Sequence, residues 1–267
     1  MRAHMPAGSM LHVRHTKPDT PIHGIIEDLL EDATVAIASG GDGTVSQVAA
    51  AILDQQIPLG IVPAGSTNMV AKVSNISNDP KEAVRLIFGW HRRERIDAGR
   101  SGDRLLLHMG GSGIDARIFT GASSKLKRRL RWLAYVPPAV AGAMAKPSLF
   151  TVTVDGTETR VRSNLVLVAN SAQLLNENIR LVRDVSRTDG VFDILIYTAD
   201  NPIKLAAAGL TSLTGHLESL GQVIRLRGSH IRIDADPPAP TELDGEVVGE
   251  TPLEIEVLPQ AVELIRG

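Results

Sequence analysis

The chain of 267 residues is long enough for one large α/β unit or two modest domains in contact. Its 43% hydrophobic and 22% charged residues belong to a folded chain rather than a disordered one. A formal net charge of −2 argues against a globally basic nucleic-acid binder, and the absence of cysteine excludes disulfides, a thiol nucleophile and Cys-based zinc.

Met1 to Met10 reads as a loose tail without an apolar h-region, so a cleaved signal is not expected. Leu11–Thr16 is expected as a short strand, and Ile22, Ile25, Ile26, Leu29 and Leu30 fall at helical spacing. Thr34–Ser39 is a short apolar run closed by glycines, as a buried parallel strand is. Val45–Leu53 resumes helical spacing, Pro58–Val62 is a second buried strand, and a helix is expected from Met69 onward. Strand, Gly-rich turn, helix, strand, Gly-containing turn, helix is a βαβ alternation. Near residue 93 the texture changes. Leu105–Met109, Leu149–Val154, Asn164–Ala169, Phe192–Tyr197, His230–Ile233 and Leu253–Val257 alternate or run in β-branched residues. Asp155-Gly156, Asp189-Gly190 and Asp244-Gly245 punctuate them as turns. Two helical segments interrupt, Ser123–Ala134 and Ile203–Leu213. No run reaches the ~18 apolar residues of a spanning helix; the nearest, Tyr135–Ala145, is broken by Pro137 and Pro138. The expected organisation is a small α/β domain over 1–92 and a larger β-rich domain over 93–267, the C-terminal segment being a candidate to return to the first.

The chemistry concentrates in two loops. Gly40-Gly41-Asp42-Gly43-Thr44 lies where a strand gives way to a helix, where glycines let backbone N–H groups approach an anion and the helix dipole favours it. An acidic residue there repels bare phosphate but suits a Mg2+ that bridges to it. A plain β–α turn with Asp42 as helix N-cap stays open as the alternative. Pro63-Ala64-Gly65-Ser66-Thr67-Asn68 follows the next strand, so in a parallel sheet both loops share one edge.

With these residues in view, the chain resembles the bacterial diacylglycerol-kinase-like lipid kinases, whose catalytic domain also occurs in sphingosine and ceramide kinases. The likeness is carried by Gly40–Thr44, Pro58–Asn68, Gly110-Gly-Ser-Gly-Ile-Asp-Ala116, Thr188-Asp-Gly-Val-Phe-Asp193 and Leu243-Asp-Gly-Glu246, and runs from about residue 11 to the C-terminus. It implies a Rossmann-like α/β domain of the NAD kinase and phosphofructokinase type, lacking its usual first strand, followed by an antiparallel β-sandwich that takes the lipid. It further implies ATP on Gly40, Gly41, Gly43, Thr44, Gly65, Ser66, Thr67 and Asn68. Asp42 would hold Mg2+ through water with help from Asp97, and Glu246 would be the general base toward the lipid hydroxyl. Asp189 falls where relatives can carry a structural metal. The implied activity is an ATP- and Mg2+-dependent lipid kinase.

The chain departs from the family pattern in three places. The family's opening strand with its Asn-Pro-x-Ser-Gly loop has no counterpart, which uncovers a sheet edge where a homodimer could pair. Met69 stands where many relatives have aspartate, and Gln47 where glutamate is frequent. Lys125, Lys127, Arg128, Arg129 and Arg131 share a segment with Leu126, Leu130 and Leu133 at i, i+4, i+7, a pattern suited to an anionic membrane surface or to an ordinary packed helix. The expected location is cytoplasmic and peripheral to the membrane. With 3% aromatic residues and no second basic patch, nucleic acid is not an expected partner. Two alternatives stay open: an NAD-kinase-like enzyme acting on a soluble substrate, and a nucleotide-binding module without turnover.

Overall fold

The computed structural model describes residues 1–16, 22–113, 147–171, 173, 182, 184–198 and 223–267. The expected helices Ser123–Ala134 and Ile203–Leu213, and with them the basic segment from Lys125, lie outside the described residues.

After a single 3-10 turn at Arg2–His4, residues 11–16 form no strand. Among the described residues the alternation there has no strand to pair with, and Val13 stays 58% exposed. Helix α1 (His23–Ile26) continues into a 3-10 turn. Strand β1 (Ala36–Gly40), helix α2 (Asp42–Ala51) and strand β2 (Leu59–Pro63) realise the expected βαβ unit. Helices α3 (Met69–Val73) and α4 (Pro80–Phe88) follow. Helix α4 starts at Pro80 in the first turn, with the Asp79 carboxylate accepting from the Lys81 N–H at 2.8 Å. Helices this short are marginal in isolation. Burial of Val84 and Ile87 against Val62 and Ile265 supplies what local propensity does not, about 1.5–3 kcal/mol for each large apolar side chain.

The rest of the described chain is strand: β3 (Arg92–Ser101), β4 (Arg104–Leu106), β5 (Met109–Gly113), β6 (Ser148–Val154), β7 (Thr157–Ser163), β8 (Leu165–Ala169), β9 (Phe192–Tyr197), β10 (Val223–Gly228), β11 (His230–Asp236), β12 (Pro240–Leu243), β13 (Glu246–Glu250) and β14 (Leu253–Arg266). One sheet runs β1-β2-β14-β11-β6-β7, with β3 on the other flank of β14 and β4 beside β3. The second runs β10-β9-β8-β5-β12-β13, antiparallel throughout. Phe150, Val152, Ile233 and Ile255 of the first sheet pack on Val166, Val168, Phe192 and Ile194 of the second, making a β-sandwich. A separate core under β1 and β2 joins Val45 and Ala49 of α2 and its C-cap Ile52 to Ala38, Leu59, Ile61, Ile96 and Leu264.

Strand β14 links the two cores. Its first half pairs with β11, its second half lies parallel to β2 at Leu264↔Leu59, and β3 accompanies it along both. The register shifts between Leu258 and Val262, where Gln260 takes φ 49°, and this bulge bends the strand from the sandwich into the α/β unit.

Candidate active site

Gly40 closes β1, Gly41 is the N-cap of α2 and Asp42 is its first helical residue, so Asp42 does not cap its own helix. It reaches across to the second loop instead. Its Oδ2 accepts from Thr67 Oγ1 at 2.9 Å and its Oδ1 from the Val70 N–H at 3.0 Å, and the residue is 7% exposed. The loops also touch through backbone. The Ala64 N–H donates to the Gly40 carbonyl at 2.9 Å, and a Cβ on Gly65 would lie 2.5 Å from Gly41 Cα. Asn68, in the left-handed conformation at φ 50°, closes the second loop on itself. Its Oδ1 accepts from the Gly65 N–H at 2.9 Å and its Nδ2 donates to the Gly65 carbonyl at 3.0 Å. Ala64, Gly65 and Ser66 stay exposed above this frame.

Glu246 arrives from the other end of the sequence. Asp244 (φ 48°) and Gly245 (φ 84°) turn β12 into β13. A Cβ on Gly43 would sit 1.7 Å from Glu246 Oε1, so the glutamate carboxylate lies against the first turn of α2 where only hydrogen leaves room. Arg104 Nη1 is 3.6 Å from Glu246 Oε2, and both side chains are about half exposed.

Asp244 holds that hairpin in place. Its Oδ2 accepts from Ser46 Oγ of α2 at 2.7 Å and from the Leu107 N–H at 2.9 Å; its Oδ1 accepts from the N–H groups of His108 at 2.8 Å and Met109 at 3.2 Å. Enclosure pushes this carboxyl up to about 6 despite those donors, with the Asp42 charge adding to the rise. His108, 5% exposed, is pushed down to about 4 by burial, which outweighs the opposing pull of Asp42. Among the described residues its Nδ1 has no hydrogen-bond partner.

Asp97 is fully buried in the middle of β3. Its Oδ1 accepts from the Gln260 N–H in the β14 bulge at 2.7 Å and its Oδ2 from the Gly190 N–H at 2.8 Å. Its own N–H donates to the Arg187 carbonyl at 2.7 Å. Its partners are thus the bulge and the 187–190 segment, whereas Asp42, Glu246 and the glycines of both loops come together. Asp189 pairs with Arg227, with Oδ2 at 2.5 Å from Nη2. Among the described residues no group of three or more His, Asp or Glu forms a ready cage for a metal. A Mg2+ carried by phosphate and water needs only one or two carboxylates, and the carboxylates beside the glycine loops are Asp42, which accepts from Thr67 and Val70, and Glu246 against Gly43.

Residues 109–266, more than half of the chain, match the family described as the YegS C-terminal NAD kinase beta sandwich-like domain, and residues 2–101 match the diacylglycerol kinase catalytic domain. The chain belongs to the family of the YegS C-terminal NAD kinase beta sandwich-like domain, with a match to the diacylglycerol kinase catalytic domain ahead of it. It is 30% identical over 240 residues to the Synechocystis sp. protein sll0036, covering 88% of this chain and 55% of that one. To the diacylglycerol kinase of Bacillus subtilis it is 28% identical over 253 residues, 91% of this chain and 81% of that one. A crystal structure of a diacylglycerol kinase from Bacillus anthracis shares the fold with a TM-score of 0.76 at 20% identity, covering 96% of this chain and 85% of that one. Within this kinase family frame, both glycine loops and Asp97 fall in the catalytic-domain match, and Asp244 and Glu246 fall in the sandwich match. Sequence reasoning did not single out Ser46, Arg104 or His108. Asp244-Gly245 signals only a turn, and nothing local says that its carboxylate points inward.

Proposed function

We propose that the chain is an ATP- and Mg2+-dependent lipid kinase that moves the γ-phosphate of ATP to the hydroxyl of diacylglycerol or a similar lipid at a membrane surface. The observation that carries this reading is the seat of Glu246 against Gly43, inside the loop that bears Asp42. It sets a carboxylate beside the place where backbone donors and the α2 dipole attract phosphate.

On this reading the ATP phosphates lie over Gly40–Thr44 and Gly65–Asn68, beside the exposed Ala64–Ser66 stretch of the second loop. Bound Mg2+ supplies charge neutralisation of the phosphates, and Asp42 is the residue that would hold it, through water. Glu246 takes the proton of the lipid hydroxyl as that oxygen bonds to the γ-phosphorus, and the bond to the β,γ-bridging oxygen breaks to release ADP. Arg104 orients the Glu246 carboxylate. For Asp97 we assign a latch between β3 and the β14 bulge in place of metal contact, because its carboxylate is held by the Gln260 and Gly190 amides and by neither glycine loop.

Family membership supports a lipid acceptor, since the relatives from Bacillus subtilis and Mycobacterium tuberculosis are named diacylglycerol kinases. Among the described residues no helix is long and apolar enough to cross a membrane. Access to the lipid is therefore assigned to surface contact, the basic segment Lys125–Arg131 being one such contact. The test is label transfer from γ-labelled ATP with diacylglycerol micelles and NAD offered together. Label in the organic extract supports the proposal; label in phosphorylated NAD identifies an NAD-kinase-like enzyme instead. ATP binding with label in neither product identifies a module without turnover.

A further inference from the structure

Trp90 is the most exposed large hydrophobic side chain among the described residues, at 81%. It stands at the corner between α4 and β3, with the Arg92 guanidinium 5.9 Å from its ring centroid. Its surroundings are basic. Arg85 in the last turn of α4 is exposed, as are Arg92, Arg93 and Arg95. Glu263 is the shared counter-ion of Arg93 and Arg95, each at 3.4 Å, while Glu94 is taken by Arg187 and Arg266 together. The arginines outnumber these two carboxylates, so positive charge is left over around the indole.

The topology sets this corner on the catalytic edge. Strand β14 runs parallel to β2 at Leu264↔Leu59, and β3 runs antiparallel to β14 at Arg92↔Arg266. Strand β3 therefore begins at the edge of the sheet where β2 ends, and β1 ends there too, Gly40 pairing with Pro63. Trp90 leads into that edge two strand spacings, roughly 10 Å, from the strand that carries the second glycine loop.

We propose that the Trp90–Arg95 corner is an interfacial anchor for an anionic lipid bilayer, which holds the catalytic edge against the surface from which the lipid alcohol is drawn. Tryptophan prefers the headgroup level, where its ring is half in hydrocarbon and its N–H meets water. Arginines beside it add attraction to anionic headgroups. The inference rests on the lipid-kinase reading but names a contact distinct from the basic segment Lys125–Arg131.

The chain has two tryptophans, so Trp132→Phe leaves Trp90 as the only indole reporter. Its emission is recorded with phosphatidylcholine vesicles, with and without phosphatidylglycerol, and with brominated acyl chains as quenchers. The expected result is a blue shift and bromine quenching only with phosphatidylglycerol, reversed by salt. Arg92→Ser or Arg93→Ser should each weaken vesicle binding about fivefold. Trp90 emission that stays unchanged while the protein co-sediments with vesicles overturns the proposal, as does failure to co-sediment. A shift with single-stranded RNA and none with vesicles also overturns it, in favour of a nucleic-acid surface. In parallel, Trp90→Ser is assayed on vesicle-borne diacylglycerol and on a monomeric, water-soluble short-chain diacylglycerol. Loss on vesicles alone supports the anchor, and equal rates on both contradict it. Silence of the unmodified protein on both substrates contradicts the lipid-kinase reading while leaving the emission result to judge the anchor.

Discussion

Asp244 and His108 adjoin one another behind the glycine loops and are displaced in opposite directions by the same burial. The Asp244 carboxyl rises from 3.8 to about 6, so the folded state holds its proton more tightly than the unfolded chain. Its contribution to stability is full below about pH 4 and is lost as pH rises through about 6. The His108 imidazole falls from 6.5 to about 4, so its contribution is full above 6.5 and is lost as pH drops toward 4. Each displacement of about two units corresponds to roughly 3 kcal/mol, and between about pH 4 and pH 6 the two largely offset. His108→Gln should remove one side of that balance. Compared with the natural protein, the variant should gain roughly 3 kcal/mol of unfolding free energy between about pH 7 and pH 4, read from denaturant midpoints. Parallel pH profiles for the two proteins would show that His108 is not buried as a neutral ring.

At the scale of elements, the close approach of the two loops is the feature most easily tested. A methyl on Gly65 would meet the Gly41 backbone at 2.5 Å, and backbone cannot swing aside as a side chain can. Gly65→Ala should cost about 1–3 kcal/mol and weaken ATP binding by parting the loops, measured by thermal unfolding and by titration with ATP. Unaltered ATP affinity would detach the second loop from the nucleotide. The same elements show what a sequence can and cannot reveal. Strands β6, β8, β9 and β11 are legible because one or both faces are buried and the apolar pattern says so. Strand β7, Thr-Glu-Thr-Arg-Val-Arg-Ser, is an edge with little apolar pattern, and β3 opens as Arg-Arg-Glu-Arg; both exist because a neighbour pairs along them. Leu11–Thr16 is the converse, an alternation that has no partner among the described residues and forms no strand.

At the scale of the molecule, the site is assembled from residues far apart in sequence. The glycine loops are legible because tight turns and close backbone approach need glycine at particular places. The bond that places Glu246 is not, since Ser46 and Asp244 are 198 residues apart and only the docking of the β12–β13 hairpin on α2 brings them together. For Asp97 the motif alone suggests a metal, while the structure shows its carboxylate accepting from the Gly190 and Gln260 amides, on which the proposed latch role rests. Because β14 belongs to both cores, the hairpin and the loops are fixed in one frame. The most direct measurement is therefore the initial rate of γ-phosphate transfer to diacylglycerol in mixed micelles for the natural chain and for Glu246→Gln, with ATP affinity measured on both. The expected result is labelled lipid from the natural chain, and a variant that binds ATP equally well yet is slower by at least about 100-fold. Equal rates, or no labelled lipid from a folded, ATP-binding natural chain, would contradict it.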